Sequence, residues 1–139
     1  MILPTLRVAP AAALSCLLGF APLVAFAQSD WPAKPVQVVI PYGPGGSTDV
    51  EARLYAQKLG EAFGKSFVLD FKPGAGAVFG SNLVAKAAPD GYSILMTSAS
   101  LAVSPALVPD LPYDPTRDFA PVSLMSKRAT LLVMNTGVP

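Results

Sequence analysis

The chain has 139 residues, 52% of them hydrophobic and 14% charged, with 15 Pro, 11 Gly, one Cys and no His. That length holds one ordinary domain, and 10 basic against 9 acidic residues leave no polybasic surface for nucleic acid or anionic lipid. The absence of His excludes Ser-His-Asp and Cys-His nucleophile schemes, imidazole proton shuttles and most zinc or iron sites, which leaves a binding module or an enzyme working with Asp, Glu, Lys or a cofactor.

From Val8 to Ser29 no residue is charged. Arg7 supplies a positive n-region, Ala11 to Val24 an apolar h-region, and Ala25-Phe26-Ala27 an A-x-A cleavage site. Residues 1–27 are therefore expected to be a secretory signal peptide cleaved after Ala27. An uncleaved anchor is the alternative, since about 20 apolar residues span a bilayer, but Pro10, Gly19 and Pro22 interrupt the run. Cys16, the only thiol, lies inside the h-region and not at its end, as a lipidated Cys would. Export leaves a thiol-free domain with no disulfide.

Val36-Gln37-Val38-Val39-Ile40 reads as a buried strand. The segment Tyr42 to Asp49, YGPGGSTD, ends in preferred helix N-cap residues. A helix is expected from about Asp49 to Phe63, with Ala52, Ala56, Leu59 and Phe63 on one stripe and Gly64 as its left-handed terminator. Ser66 to Phe71 is a second strand running into PGAGAVFG, Pro73 to Gly80. The next helix carries Phe79, Leu83, Val84 and Ala87 on its apolar face and stops at Pro89-Asp90-Gly91. Tyr92 to Thr97 is a third strand. A Pro-rich segment follows to Pro121, then two apolar runs, Val122–Ser126 and Ala129–Asn135, read as further strands. Strand–loop–helix alternation predicts right-handed βαβ units and a parallel sheet flanked by helices, an α/β fold.

Ligands of open α/β sheets bind beyond the carboxyl ends of the strands. Gly43–Asp49, Pro73–Gly80 and Thr97–Ser100 fall there. Glycine lets backbone approach a ligand closely, and a helix start offers unpaired N–H groups with about half a unit of positive charge. An anion can be held this way with little cationic help, and Lys72 is the nearby cation. The competing reading is a plain βα connection, with Thr48 and Asp49 as caps. GPGGSTD lacks the Lys of a P-loop, and the glycines of Gly74–Gly80 miss the G-x-G-x-x-G spacing by one residue. Asp114, Asp118 and Arg117, in YDPTRDF, read as a turn with a local ion pair and not as an acid–base pair.

The runs WPAKPVQVVIPYGPGGSTDVEARLYAQKLGEAFG, KPGAGAVFGSNLVAKAAPDGYSILM and LPYDPTRDFAPVSLM resemble the Bug/TctC family, extracytoplasmic solute-binding receptors of tripartite tricarboxylate transporters. The resemblance runs from Trp31 to Pro139. It implies a two-lobed, type II periplasmic-binding-protein fold, of which this chain carries residues 28–139 as the first lobe and the start of the crossover, without the second lobe. It implies no catalysis, no cofactor and no metal. The implied partners are a small organic carboxylate and a membrane permease, for a monomeric receptor in the periplasm. By position, the ligand-binding residues it implies are Gly45, Gly46, Ser47, Thr48 and Asp49, then Gly74, Ala75 and Gly76, then Thr97, Ser98 and Ala99. Phe71 stands where the family usually has Asn, and Ala77 where a glycine is common; Ala77 is expected to keep φ negative. The chain is shorter than the family pattern and is read as an N-terminal fragment whose last strands have unpaired edges. The alternative is half of a secreted Rossmann-like enzyme with a bound cofactor; a truncation product that never folds stably is a third reading.

Overall fold

In the computed structural model, residues 31–129, 131 and 133–137 are described. The signal-peptide reading of residues 1–27 lies outside them. Three strands, β1 (Val36–Ile40), β2 (Phe67–Phe71) and β3 (Ser93–Leu95), form a parallel sheet in the order β2-β1-β3. Ile40 pairs with Phe71 and Val39 with Leu95, so all three chains leave the sheet at one edge. Pairing extends past each strand: Gln37 N–H donates to the Tyr92 carbonyl at 2.8 Å, Met96 N–H to Val39 at 2.9 Å and Lys72 N–H to Ile40 at 2.8 Å.

The alternation of β1 assigns its two faces. Val36, Val38 and Ile40 are buried with Ala52, Phe67 and Met96, and Tyr55, Ala56 and Leu59 of α1 (Ser47–Phe63) pack against them. Gln37 and Val39 face the other way, towards Leu83, Val84 and Ala87. Returning first to one neighbour and then across to the other places α1 and α2 (Val78–Ala85) on opposite faces, as right-handed crossovers require. At the amino edge of the sheet Trp31, Phe63, Phe67 and Tyr92 form an aromatic cluster, with Trp31 edge-on to Phe63 at 5.5 Å.

Gly64 takes the left-handed φ of +66° expected of a helix terminator. Three other expectations change. In α2 it is Val78, Gly80 and Ser81 that are buried, while Phe79 and Leu83 stay largely exposed. Close packing at Gly80 against Lys72 and Pro41, not the helix's apolar periodicity, sets which side faces the sheet. The Pro-rich segment contains a third helix, α3 (Ser100–Leu107), despite Pro105. Over eight residues the proline removes a single ladder bond, and Ser104 Oγ donates to the Ser100 carbonyl at 2.7 Å. The runs Val122–Ser126 and Ala129–Asn135 form no strand among the described residues. That arm instead crosses α1, where Tyr55 Oη donates to the Met125 carbonyl at 2.8 Å and Arg128 pairs with Glu51 at 2.9 Å. A strand exists only against a partner, and here the backbone finds side chains of a helix.

Candidate functional site

Three loops meet the carboxyl edge of the sheet, one after each strand, and each opens a helix. After β1 comes Pro41–Gly46. Gly46 occupies the N-cap of α1 with extended backbone (φ −79°, ψ 172°) and no side-chain cap, so neither Thr48 nor Asp49 is the N-cap. Asp49 lies in the first turn and reaches back: its Oδ2 accepts the Gly45 N–H at 2.8 Å and an Arg53 Nη2 proton at 3.3 Å. Arg53 Nε stands 2.7 Å from Oδ1 as an ion pair without hydrogen-bond geometry. The Gly45 N–H, with opposed desolvation and with Arg53 adding to it, holds the buried Asp49 carboxyl below the ordinary carboxylate value. This closes the glycine loop and consumes the Gly45 amide. The backbone bonds of the helix start at Asp49 N–H, so the amides of Gly46, Ser47 and Thr48 remain the open donors.

After β2, Gly74 (φ +145°) leads into a turn at Ala75–Ala77 in which Ala75, Gly76 and Ala77 have φ of +46°, +63° and +80°. Ala77 thus departs from the negative φ expected of it. Its N–H donates to the Gly74 carbonyl at 3.0 Å, and its methyl is buried, so packing and that bond hold the left-handed conformation. Gly80 lets α2 lie directly on the sheet end: a Cβ there would stand 2.7 Å from the Lys72 carbonyl and 2.8 Å from Pro41 Cβ. Lys72 is not a free cation, because its ammonium pairs with Asp70 at 3.0 Å.

After β3, Thr97, Ser98 and Ala99 lead into α3, whose first turn follows from Ala102 and Val103 N–H donating to Ala99 at 3.1 Å. This loop is tied to the first by a side chain that the motif reading passed over. Tyr42 Oη lies 2.5 Å from Ser100 Oγ, 2.7 Å from Ser98 Oγ and 3.1 Å from Thr97 Oγ1, and it accepts the Ser98 N–H at 3.2 Å. Burial raises the Tyr42 pKa, but these hydrogen bonds outweigh it and hold the phenol below its ordinary value. The available signal was a tyrosine directly after the first strand and three hydroxyl residues at the end of the third.

The structure therefore brings Gly46–Thr48, Gly74–Gly76 and Thr97–Ala99 to one edge, with β1 and its loop in the middle. Both nearby basic side chains are already paired, Arg53 with Asp49 and Lys72 with Asp70. Attraction for an anion falls to amides, hydroxyls and helix starts. Asp114 is a turn residue: its Oδ1 accepts Thr116 N–H at 2.8 Å and Thr116 Oγ1 at 2.7 Å, while Arg117 pairs with it at 3.6 Å. Among the described residues no His, Cys, Asp and Glu cluster could hold a metal.

Residues 51–139 match the family model of the tripartite tricarboxylate transporter family receptor, TctC. The chain belongs to this family. It is 43% identical over 107 residues to Protein BugT of Bordetella pertussis, covering 76% of this chain and 33% of that protein. Among solved structures it resembles the periplasmic binding protein BugD, with 39% identity and a TM-score of 0.62 over 64% of this chain and 30% of BugD. It also resembles MatC from Rhodopseudomonas palustris, solved with bound malate, at 35% identity and a TM-score of 0.63 over 68% and 32% of the two chains. The chain spans about a third of the length of the curated TctC relatives it matches.

Proposed function

We propose that this chain contributes the carboxylate-gripping loops of a periplasmic solute-binding receptor that delivers a small organic acid to a membrane permease. The observation that carries the reading is the convergence of three helix-opening loops on one sheet edge, in a TctC-family chain whose basic side chains there are already neutralised. Gly46, Ser47 and Thr48 offer amides, Gly74, Ala75 and Gly76 a second backbone edge, and Thr97, Ser98 and Ala99 hydroxyls and a third helix start. Gly45 and Asp49 shape the first loop and do not touch ligand. MatC, similar over this region, binds malate, which supports a short carboxylate as ligand. Solute binding without turnover is favoured over the Rossmann-like enzyme, because neither glycine loop has the G-x-G-x-x-G spacing of a dinucleotide fingerprint: Thr48 stands where the third glycine would follow Gly43 and Gly45, and Gly80 falls one residue late after Gly74 and Gly76.

Three charge-assisted hydrogen bonds at about 1.5–3 kcal/mol each give roughly 5–9 kcal/mol gross. Association and desolvation remove several of these, and micromolar affinity needs about 8 kcal/mol net. Binding by this chain alone is expected in the millimolar range or not at all. A chemical-shift titration with malate checks this: amide shifts confined to residues 46–48, 74–76 and 97–99 and saturating at millimolar ligand are the expected result. Shifts confined to other residues sink the site; micromolar affinity sinks the energetic argument.

A further inference from the structure

The Tyr42 oxygen is surrounded by more partners than it can bond. It receives the Ser98 N–H and lies within 3.1 Å of the hydroxyls of Ser100, Ser98 and Thr97, while Thr97 and Ser100 are themselves 3.4 Å apart. A phenolic oxygen gives one proton and accepts through two lone pairs. One lone pair holds the Ser98 amide, so the oxygen accepts one hydroxyl at most and donates to one other. With the Thr97–Ser100 contact added, at most three hydroxyl protons are used within a group of four hydroxyls. At least one proton must point out of the group, and no side chain or carbonyl among the described residues receives it. Ser98 is exposed and Thr97 and Ser100 half-buried, so the group is open to solvent or to a ligand.

We propose that Tyr42 is a positioning residue of the carboxylate site: its hydroxyl gathers Thr97, Ser98 and Ser100 so that one of their protons is turned outward, ready for an oxygen of a bound carboxylate. This rests on the carboxylate-binding reading above. Three free hydroxyl rotors would lose their freedom when ligand arrived; rotors already held in one ring of bonds lose less, and affinity rises by that difference. The same hydroxyl pins the loop after β3 to the loop after β1, which keeps the outward donor at the same sheet edge as the amides of Gly46–Thr48.

The test uses the full chain, with malate as the probe and amide chemical shifts as the readout. Tyr42→Phe keeps the ring and a cooperative melt, and raises the malate dissociation constant about three- to tenfold, the range expected for weakening one hydrogen bond to a charged group. In a Thr97→Val, Ser98→Ala, Ser100→Ala background the same change has no further effect, because nothing is left to position. If that background does not melt cooperatively, Ser98→Ala alone takes its place, and the Tyr42→Phe effect shrinks without vanishing. Tyr42→Phe binding as tightly as the parent overturns the proposal and leaves the carboxylate reading intact. An equal loss in both backgrounds also overturns it, since Tyr42 would then act directly on the ligand. A parent chain that does not respond to malate overturns the proposal, since Tyr42 then prepares no donor that this chain uses.

Discussion

Asp49 shows how one carboxylate can close a glycine loop on itself. Its charge is met by the Gly45 amide and by Arg53, so it presents little field at the neighbouring Gly46–Thr48 amides. Because its folded pKa lies below the ordinary value of 3.8, it adds stability that is full above that value and is lost as pH falls through the lower folded one. Thermal melts of the parent are expected to drop as pH is lowered below 3.8. Asp49→Asn should flatten part of that drop and speed hydrogen exchange at Gly45. Glu61 and Asp114, whose carboxyls are also depressed by local hydrogen bonds, supply the remaining acid dependence. An unchanged acid slope in Asp49→Asn would show that the Gly45 bond does not matter to stability. The left-handed turn at Ala75–Ala77 belongs to this scale too. Each alanine at positive φ costs about 1–2 kcal/mol relative to the right-handed form, and such outliers persist where surrounding packing dictates them.

At the scale of elements, the contact between α2 and the sheet depends on a missing side chain. Gly80 sits inside a helix, where alanine is favoured by about 0.5–1 kcal/mol. Yet a Cβ there would press on the Lys72 carbonyl at 2.7 Å and on the Pro41 ring at 2.8 Å, and neither is the free end of a flexible side chain. Overpacking of this kind costs about 1–3 kcal/mol, so the clash wins. Gly80→Ala is expected to lower urea-unfolding stability by about 1–2 kcal/mol and to disturb the Lys72–Gly74 loop. A neutral or stabilising Gly80→Ala would mean that α2 can lift from the sheet freely. The opposite edge is closed differently, by rings: Trp31 lies against Phe63 and Tyr92, and Lys34 stacks 4.3 Å above the Tyr92 ring.

At the scale of the whole molecule, the apolar arm stands apart from the core. Val122 and Leu124 are 89% and 70% exposed, and Leu131, Val133 and Met134 are exposed too. The arm is anchored by polar contacts, Tyr55 to the Met125 carbonyl and Glu51 to Arg128. Its large side chains therefore contribute little to the stability of the sheet domain. Val122→Ser with Leu124→Ser is expected to change urea-unfolding stability by no more than about 0.5 kcal/mol and to raise solubility. A loss of several kcal/mol would place those side chains in a core the described contacts lack.

The local elements were legible in the residues. Val36–Ile40 is a strand from end to end, Gly64 ends α1 in the left-handed conformation, and the parallel order follows from strand–helix alternation. The glycine loops were legible as strand-to-helix connections by the same pattern, because periodicity and turn chemistry act over a few neighbouring positions. What the tertiary structure decided were relations across long separations. Tyr42 finds Thr97, Ser98 and Ser100 only because β1 and β3 are adjacent and in register. The buried side of α2 is chosen by the Gly80 contact, which overrides the apolar stripe, and among the described residues the runs after Pro121 meet no strand partner, which β-rich composition alone cannot supply. Propensity is a property of a segment, whereas a hydrogen-bond partner or a packing surface is a property of the fold that brings segments together.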